Sequence, residues 1–277
     1  MERCALITGC SSGIGHATAL AFLEEEWDVY ATARNPADIT ELAEAGCRTA
    51  ALDVTDDEQV MAVVSQVIDE RGRLDCLVNN AGFCQSGPVE DVPTDRVHRQ
   101  FEVNVYGPHR LTREALPHMR ARGDGTVVNV SSGLGRISLP GSGVYAGSKF
   151  ALEAMSDALR AEVADQGIDV VTIEPGLVNT QFTARLRHEL NDLERTAAYE
   201  NLYRLYDDWS RVDNGGFATT TPQVVADAIV NAASATKPQP RYQVGPSSVL
   251  AGIASHLPAG ARQRVFRLGL KLSRWLG

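Results

Sequence analysis

Short runs of β-branched and apolar residues alternate along this chain with longer amphipathic stretches. The runs at 5–8, 29–32, 48–52, 76–78, 127–130, 170–173 and 242–244 are predicted strands. Several are apolar at successive positions, the pattern of a parallel strand covered on both faces. Stretches 17–25, 58–70, 96–119 and 146–164 repeat apolar residues every three or four positions, which predicts helices. Repeated strand–helix alternation predicts an α/β fold, a doubly wound parallel sheet of about seven strands with right-handed crossovers and helices on both faces. Pro117 is expected to bend or end the helix over 96–119. No internal repeat or long linker interrupts the pattern, so residues 1–277 are read as one domain. The exception is 180–221, a long helical insertion carrying Phe182, Leu186, Leu190, Leu193, Tyr199, Tyr203, Tyr206 and Trp209. Connections of this length in compact domains are usually functional, and a substrate lid is expected. Its aromatics could equally anchor the segment to the body.

Composition adds exclusions. With 44% hydrophobic and 22% charged residues over 277 positions, the chain reads as an ordinary globular protein with a sizeable core. A net charge of −9 argues against nucleic-acid binding. The five cysteines (Cys4, Cys10, Cys47, Cys76, Cys84) form no C-x-x-C pair, so free core thiols are expected. The six histidines have no metal-ligand spacing, and no metal site is expected. Met1 leads directly into a strand-like run, and no stretch is long and apolar enough to span a bilayer. A cytoplasmic protein is therefore expected. Charge is unevenly distributed. No acid follows Asp227, and the last 50 residues carry seven cations, which leaves −16 for the rest. Residues 258–277 form a basic tail whose part from Ala261 has amphipathic helical periodicity. It could pack on this chain or a partner subunit, or lie on an anionic membrane.

Candidate chemistry gathers at three places. Thr8-Gly9-Cys10-Ser11-Ser12-Gly13-Ile14-Gly15 joins the first strand to the first helix. Gly9 permits the tight turn, Gly13 lets a pyrophosphate approach the backbone, and Gly15 permits close helix–sheet packing. The helix N-terminus adds amides and dipole for the anion. At the end of the second strand, Arg34 stands where a carboxylate would hold an unmodified ribose. Its guanidinium fork, with the Ser12 hydroxyl, suits a 2′-phosphate, so NADP(H) is expected over NAD(H). Tyr145 and Lys149 are four residues apart and share a helix face. A free phenol has a pKa of about 10, and a nearby cation is expected to pull it toward the working range. Ser132, at the end of a strand, would hold a carbonyl or alkoxide oxygen.

With these residues assembled, the chain resembles the short-chain dehydrogenase/reductase family over its length to about residue 245, most closely its hydroxysteroid and retinol dehydrogenase-like members. The resemblance implies a Rossmann fold with Asp53 and Val54 at the adenine and Asn80, Ala81 and Gly82 beside the cofactor. It implies that Pro175, Gly176, Val178 and Thr180 hold the nicotinamide carboxamide. Ser132, Tyr145 and Lys149 match the catalytic trio, with Asn104 holding a water of the proton relay. The implied reaction interconverts a ketone or aldehyde and an alcohol by hydride transfer. Tyr145 acts as general acid or base, and Lys149 also binds the nicotinamide ribose. The aromatic insertion fits a bulky apolar substrate, steroid-, retinoid- or lipid-like. Reductases of 3-oxoacyl or sugar-type substrates, and a cofactor-binding redox sensor with little turnover, are the alternatives. A homodimer or homotetramer is expected, paired through the helices over 96–119 and 146–164.

Overall fold

A computed structural model describes residues 2–179, 188–211 and 219–264. Its centre is a seven-stranded parallel sheet built from β1 (Cys4–Ile7), β2 (Asp28–Ala33), β3 (Arg48–Ala51), β4 (Cys76–Asn79), β5 (Gly125–Val130), β6 (Ile168–Pro175) and β9 (Arg241–Val244). The spatial order is β3-β2-β1-β4-β5-β6-β9. All seven expected strands are present, with ends shifted by no more than a few residues. Strand order reverses between β1 and β4, and the crevice beyond the strand ends there is where such sheets bind ligands.

Alternation within the strands divides the core into two layers. Ala5 and Ile7 of β1 face one layer, with Phe22 of α1 (Gly13–Glu24) and Val225 and Ile229 of α8 (Pro222–Ser234). Leu6 faces the other, with Val63 and Val67 of α3 (Asp57–Arg71) and Leu111, Ala115 and Met119 of α5 (Gly107–Arg122). The helix α6 (Gly143–Glu162) packs against α4 and the turn over Glu102–Tyr106, and carries Tyr145 and Lys149. Both faces of the sheet are therefore apolar, which explains the near-continuous hydrophobic runs.

One helix expectation needs correction and another is narrowed. The stretch 96–119 is not one regular helix. It comprises α4 (Thr94–Phe101), a wide π-type turn over Glu102–Tyr106, and α5. The turn directs Asn104 inward, where its side-chain oxygen accepts from the Phe83 amide (3.1 Å) and its nitrogen donates to the Phe83 carbonyl (3.0 Å). Such turns arise where one extra residue is accommodated, often at functional sites. Nor does Pro117 end its helix, which continues to Arg122. Pro117 and Arg113 lie on the exposed side, so the carbonyl that proline leaves unpaired can be solvated, while buried Ala115 and Met119 fasten the other side.

Between β6 and α8 a short pair, β7 (Leu177–Val178) with β8 (Thr219–Thr220), closes the base of the long insertion. Two-residue strands leave no periodic signal and were not expected. The insertion's described part includes α7 (Glu200–Arg211). Leu190, Leu193 and Tyr203 are buried against Val92 and Val144. The Tyr203 hydroxyl donates to Asp91 (2.7 Å), that of Tyr199 to Glu90 (2.6 Å) and that of Tyr206 to the Pro140 carbonyl (2.9 Å). These aromatics do anchor the segment.

Candidate active site

One end of the crevice is made by the turns after β1 and β4. Gly9 and Gly13 have φ of +72° and +62°, conformations that side chains rarely adopt. A Cβ on Gly9 would sit 2.8 Å from the Ala81 Cα, and one on Gly15 would overlap the Gly9 carbonyl and the Asn80 amide. The glycines are thus needed for contact between the two turns. Thr8 accepts through its hydroxyl from the amides of Asn80 (3.0 Å) and Ala81 (2.9 Å), and Asn80 donates back to the Thr8 carbonyl (2.8 Å). Ser12 opens α1 in extended conformation without a side-chain cap, and the helix's first turn has no acid. Its N-terminal amides therefore remain available to an anion.

Beside this turn, Arg34 is exposed at the end of β2 and makes no ion pair among the described residues. The Asp53 carboxylate accepts from the amide (2.9 Å) and hydroxyl (2.7 Å) of Thr55, which fixes the loop after β3 and places Val54 in the wall.

At the other end, Tyr145 and Lys149 project from α6, 7% and 6% exposed. The Lys149 ammonium donates to the Val130 carbonyl at 2.8 Å and lies 5.8 Å from the centre of the Tyr145 ring. Ser132, on the loop leaving β5, hydrogen-bonds Tyr145 through its side chain and accepts from the Leu134 amide (3.1 Å). Burial pushes the Lys149 ammonium down to about 8, opposed by the nearby Glu153 carboxylate and the Cys84 thiol. Burial pushes the Tyr145 phenol upward, Cys84 adds to this, and the Ser132 hydrogen bond opposes it. The shift is thus upward, not the lowering expected from Lys149, and desolvation is its largest cause. The thiols of Cys4, Cys10, Cys47, Cys76 and Cys84 are free and buried.

Both ends open into a single cleft of about 750 Å³. Gly9, Ser11, Ser12, Gly13, Ile14, Arg34, Asp53, Val54, Asn80, Ala81, Gly82, Ser132, Tyr145, Lys149, Pro175, Gly176 and Val178 all line it. Gly15 lies behind the wall as a packing contact, and Asn104 lies behind Gly82, its carboxamide 3.2 Å from where a Cβ would be. Thr180 lies outside the described residues. Sequence reasoning missed Phe83, Arg99, His188 and Glu189, which also line the cleft. Phe83 follows Gly82 directly and was within reach of the motif. Arg99 packs over the Phe83 ring and lies 3.8 Å from the Glu189 carboxylate, a junction of distant segments with no local signature. An uncapped helix terminus, two turns too tight for side chains and an unpaired arginine fit a phosphorylated nicotinamide dinucleotide. The described residues contain no group of His, Cys, Asp and Glu suited to a metal ion.

Comparison with known proteins agrees with this geometry. The model of the short chain dehydrogenase family matches residues 3–191. The chain is 37% identical over 248 residues to the uncharacterized oxidoreductase YbbO of Escherichia coli (strain K12), covering 88% of this chain and 86% of that protein. It is 32% identical over 280 residues to the NADPH-dependent 3-dehydrocapnine reductase of Ornithobacterium rhinotracheale, covering 97% and 98%. A solved short-chain dehydrogenase from Streptomyces avermitilis superposes with a TM-score of 0.80 at 33% identity, covering 99% of this chain and 97% of that one.

Proposed function

Because the chain belongs to the short chain dehydrogenase family and is an oxidoreductase of that kind, we propose that it uses NADP(H) to interconvert a bulky apolar ketone or aldehyde and its alcohol. The observation that carries this reading is the placement of Ser132, Tyr145 and Lys149 in the same cleft as the glycine turn and Arg34. NADP(H) is favoured over NAD(H) by Arg34 with no acid at the end of β2, and by the NADPH dependence of the 3-dehydrocapnine reductase.

When bound, the nicotinamide supplies the hydride chemistry. Arg34 and Ser12 would hold the 2′-phosphate, the amides opening α1 the pyrophosphate, and Asp53 and Val54 would border the adenine. Pro175, Gly176 and Val178, with Thr180 by resemblance, would hold the carboxamide end. During reduction, Ser132 donates a hydrogen bond to the substrate oxygen and Tyr145 gives that oxygen a proton. The Lys149 cation then favours the phenolate left behind, and Asn104, which donates to the Ser148 hydroxyl (3.3 Å), serves the relay that restores the proton. The high resting value of the phenol keeps the donor protonated until a substrate oxygen accepts. With NADPH as the cofactor, reduction is the favoured direction in cells.

The insertion over 180–221 serves as the substrate lid, bringing His188 and Glu189 to the cleft while Leu190, Leu193 and Tyr203 fasten it. Exposed Tyr106, Phe150 and Met155, in or beside α5 and α6, suit pairing into a homodimer through those helices. Fluorescence titration with NADPH and with NADH, followed by steroid, retinoid and long-chain ketones and 3-dehydrocapnine, tests the proposal. Tighter NADPH binding and its oxidation by a bulky ketone are expected. Equal binding of the two cofactors would remove the assignment to Arg34.

A further inference from the structure

We propose that α9 (Pro246–Ser255) and the basic residues after it dock this protein onto an anionic lipid surface. Along α9 the buried positions are Ser248, Ala251 and Gly252, which seat the helix on the body. The opposite side holds Val249 (43% exposed), Leu250 (65%) and Ile253 (65%), and Leu257 (44%) extends it past the helix end. Spacing of one, three and four residues puts these four on a common side. Isolated exposed apolar residues are ordinary, but a contiguous group on one helix needs an occupant.

The charge of the C-terminal sequence, in which Arg262 and Arg264 follow that group, selects the occupant. No acid follows Asp227, whereas seven cations occupy the last 50 residues and the rest of the chain sums to −16. Residues 259–264 are helical, begun by bonds from the amides of Ala261 and Arg262 to the Pro258 carbonyl, and Arg264 is exposed. A net-acidic chain is repelled by an anionic bilayer, so its basic C-terminal sequence is the part such a surface attracts. An apolar helix face followed by cations has the composition of an interfacial helix. A second copy meeting the same face about a twofold axis would bring two cationic termini together, which favours lipid over self-association. The location also has a consequence for the cleft. The Leu177 amide donates to Ser247 at the start of α9 (2.8 Å), and a Cβ on Gly176 would overlap that same serine. The docking helix therefore abuts the cleft rim formed by Pro175, Gly176 and Val178.

Co-sedimentation of the full chain with vesicles tests this, comparing phosphatidylcholine alone with phosphatidylcholine containing about 30% phosphatidylglycerol. The expected result is binding to the mixed vesicles that weakens at least about tenfold on neutral vesicles, in about 0.5 M salt, or in the double variant Leu250→Asp with Ile253→Asp. Unchanged NADPH titration and melting temperature certify that the variant is folded; otherwise Leu250→Ser alone and the salt series on the unaltered chain decide the matter. No binding of the full chain to anionic vesicles overturns the proposal, as does binding unaffected by either the variant or salt. Conversion of a dimer to monomers by the variant without vesicle binding assigns the face to a second copy. Binding that emerges only after truncation beyond Arg264 assigns it to the chain's own terminus. Turnover of a water-soluble ketone remains unchanged in the variant, so failure here is separable from failure of the oxidoreductase reading.

Discussion

Lys149 is held in a protein environment that burial makes costly for its charge, yet the proposed chemistry needs that charge beside Tyr145. With its value lowered to about 8, the ammonium is cationic at neutral pH and loses its proton as pH rises through that value. Ketone reduction should therefore be level near pH 7 and fall roughly tenfold per unit well above about 8, as the form supporting the phenolate disappears. A kcat/KM profile from about pH 6 to 10 checks this, and a fall toward the acidic side instead would assign control to another group. Arg34 makes a separate prediction. Arg34→Ala should weaken NADPH about 10- to 100-fold while leaving NADH nearly unchanged, the loss appropriate to charge-assisted bonds to one phosphate. Paired titrations read that ratio. Most of these residues were legible in the sequence because each belongs to a local motif: the glycine turn after β1, the Asn80-Ala81-Gly82 turn after β4, the Tyr145 and Lys149 pair one helical turn apart. The direction of the Tyr145 shift was not legible. It depends on how much of the protein surrounds the phenol, a quantity that spacing does not carry.

At the scale of elements, the strands were readable because a sheet covered on both faces demands nearly continuous apolar runs, as in Val127, Val128 and Val130. The π-type turn at Asn104 was not, since its cause is a long-range pairing with the Phe83 backbone rather than any residue within it. The same reason hid Arg99 and Glu189, which meet only once α4 and the insertion are packed. The insertion has a specific fastening. Asp91 accepts from the Tyr203 hydroxyl (2.7 Å) and from the Thr196 amide (3.2 Å). Asp91→Ala leaves a largely buried tyrosine hydroxyl without its acceptor and loosens the segment that brings Glu189 to the cleft. Steady-state kinetics should show KM for the carbonyl substrate raised about tenfold with kcat little changed, the pattern of lost uniform binding. A fall in kcat alone would place the segment in the chemical step instead.

Across the whole molecule, the cleft lies at the reversal of strand order between β1 and β4, with the glycine turn and Arg34 at one end and Ser132, Tyr145 and Lys149 at the other. An acidic chain holding an anionic cofactor depends on local cations, so NADPH affinity should fall as salt rises. The described residues include no helix long and apolar enough to cross a membrane, and contact with lipid would be peripheral. The proposed reaction is reduction of a bulky ketone in this cleft with Tyr145 as the proton donor. It is tested most directly by following NADPH absorbance with a long-chain ketone for the unaltered protein and for Tyr145→Phe. Steady oxidation by the former is expected. In Tyr145→Phe the rate should fall by about 10²- to 10⁴-fold, the range for loss of a general acid, while NADPH binding is retained. Turnover undiminished in Tyr145→Phe would contradict it.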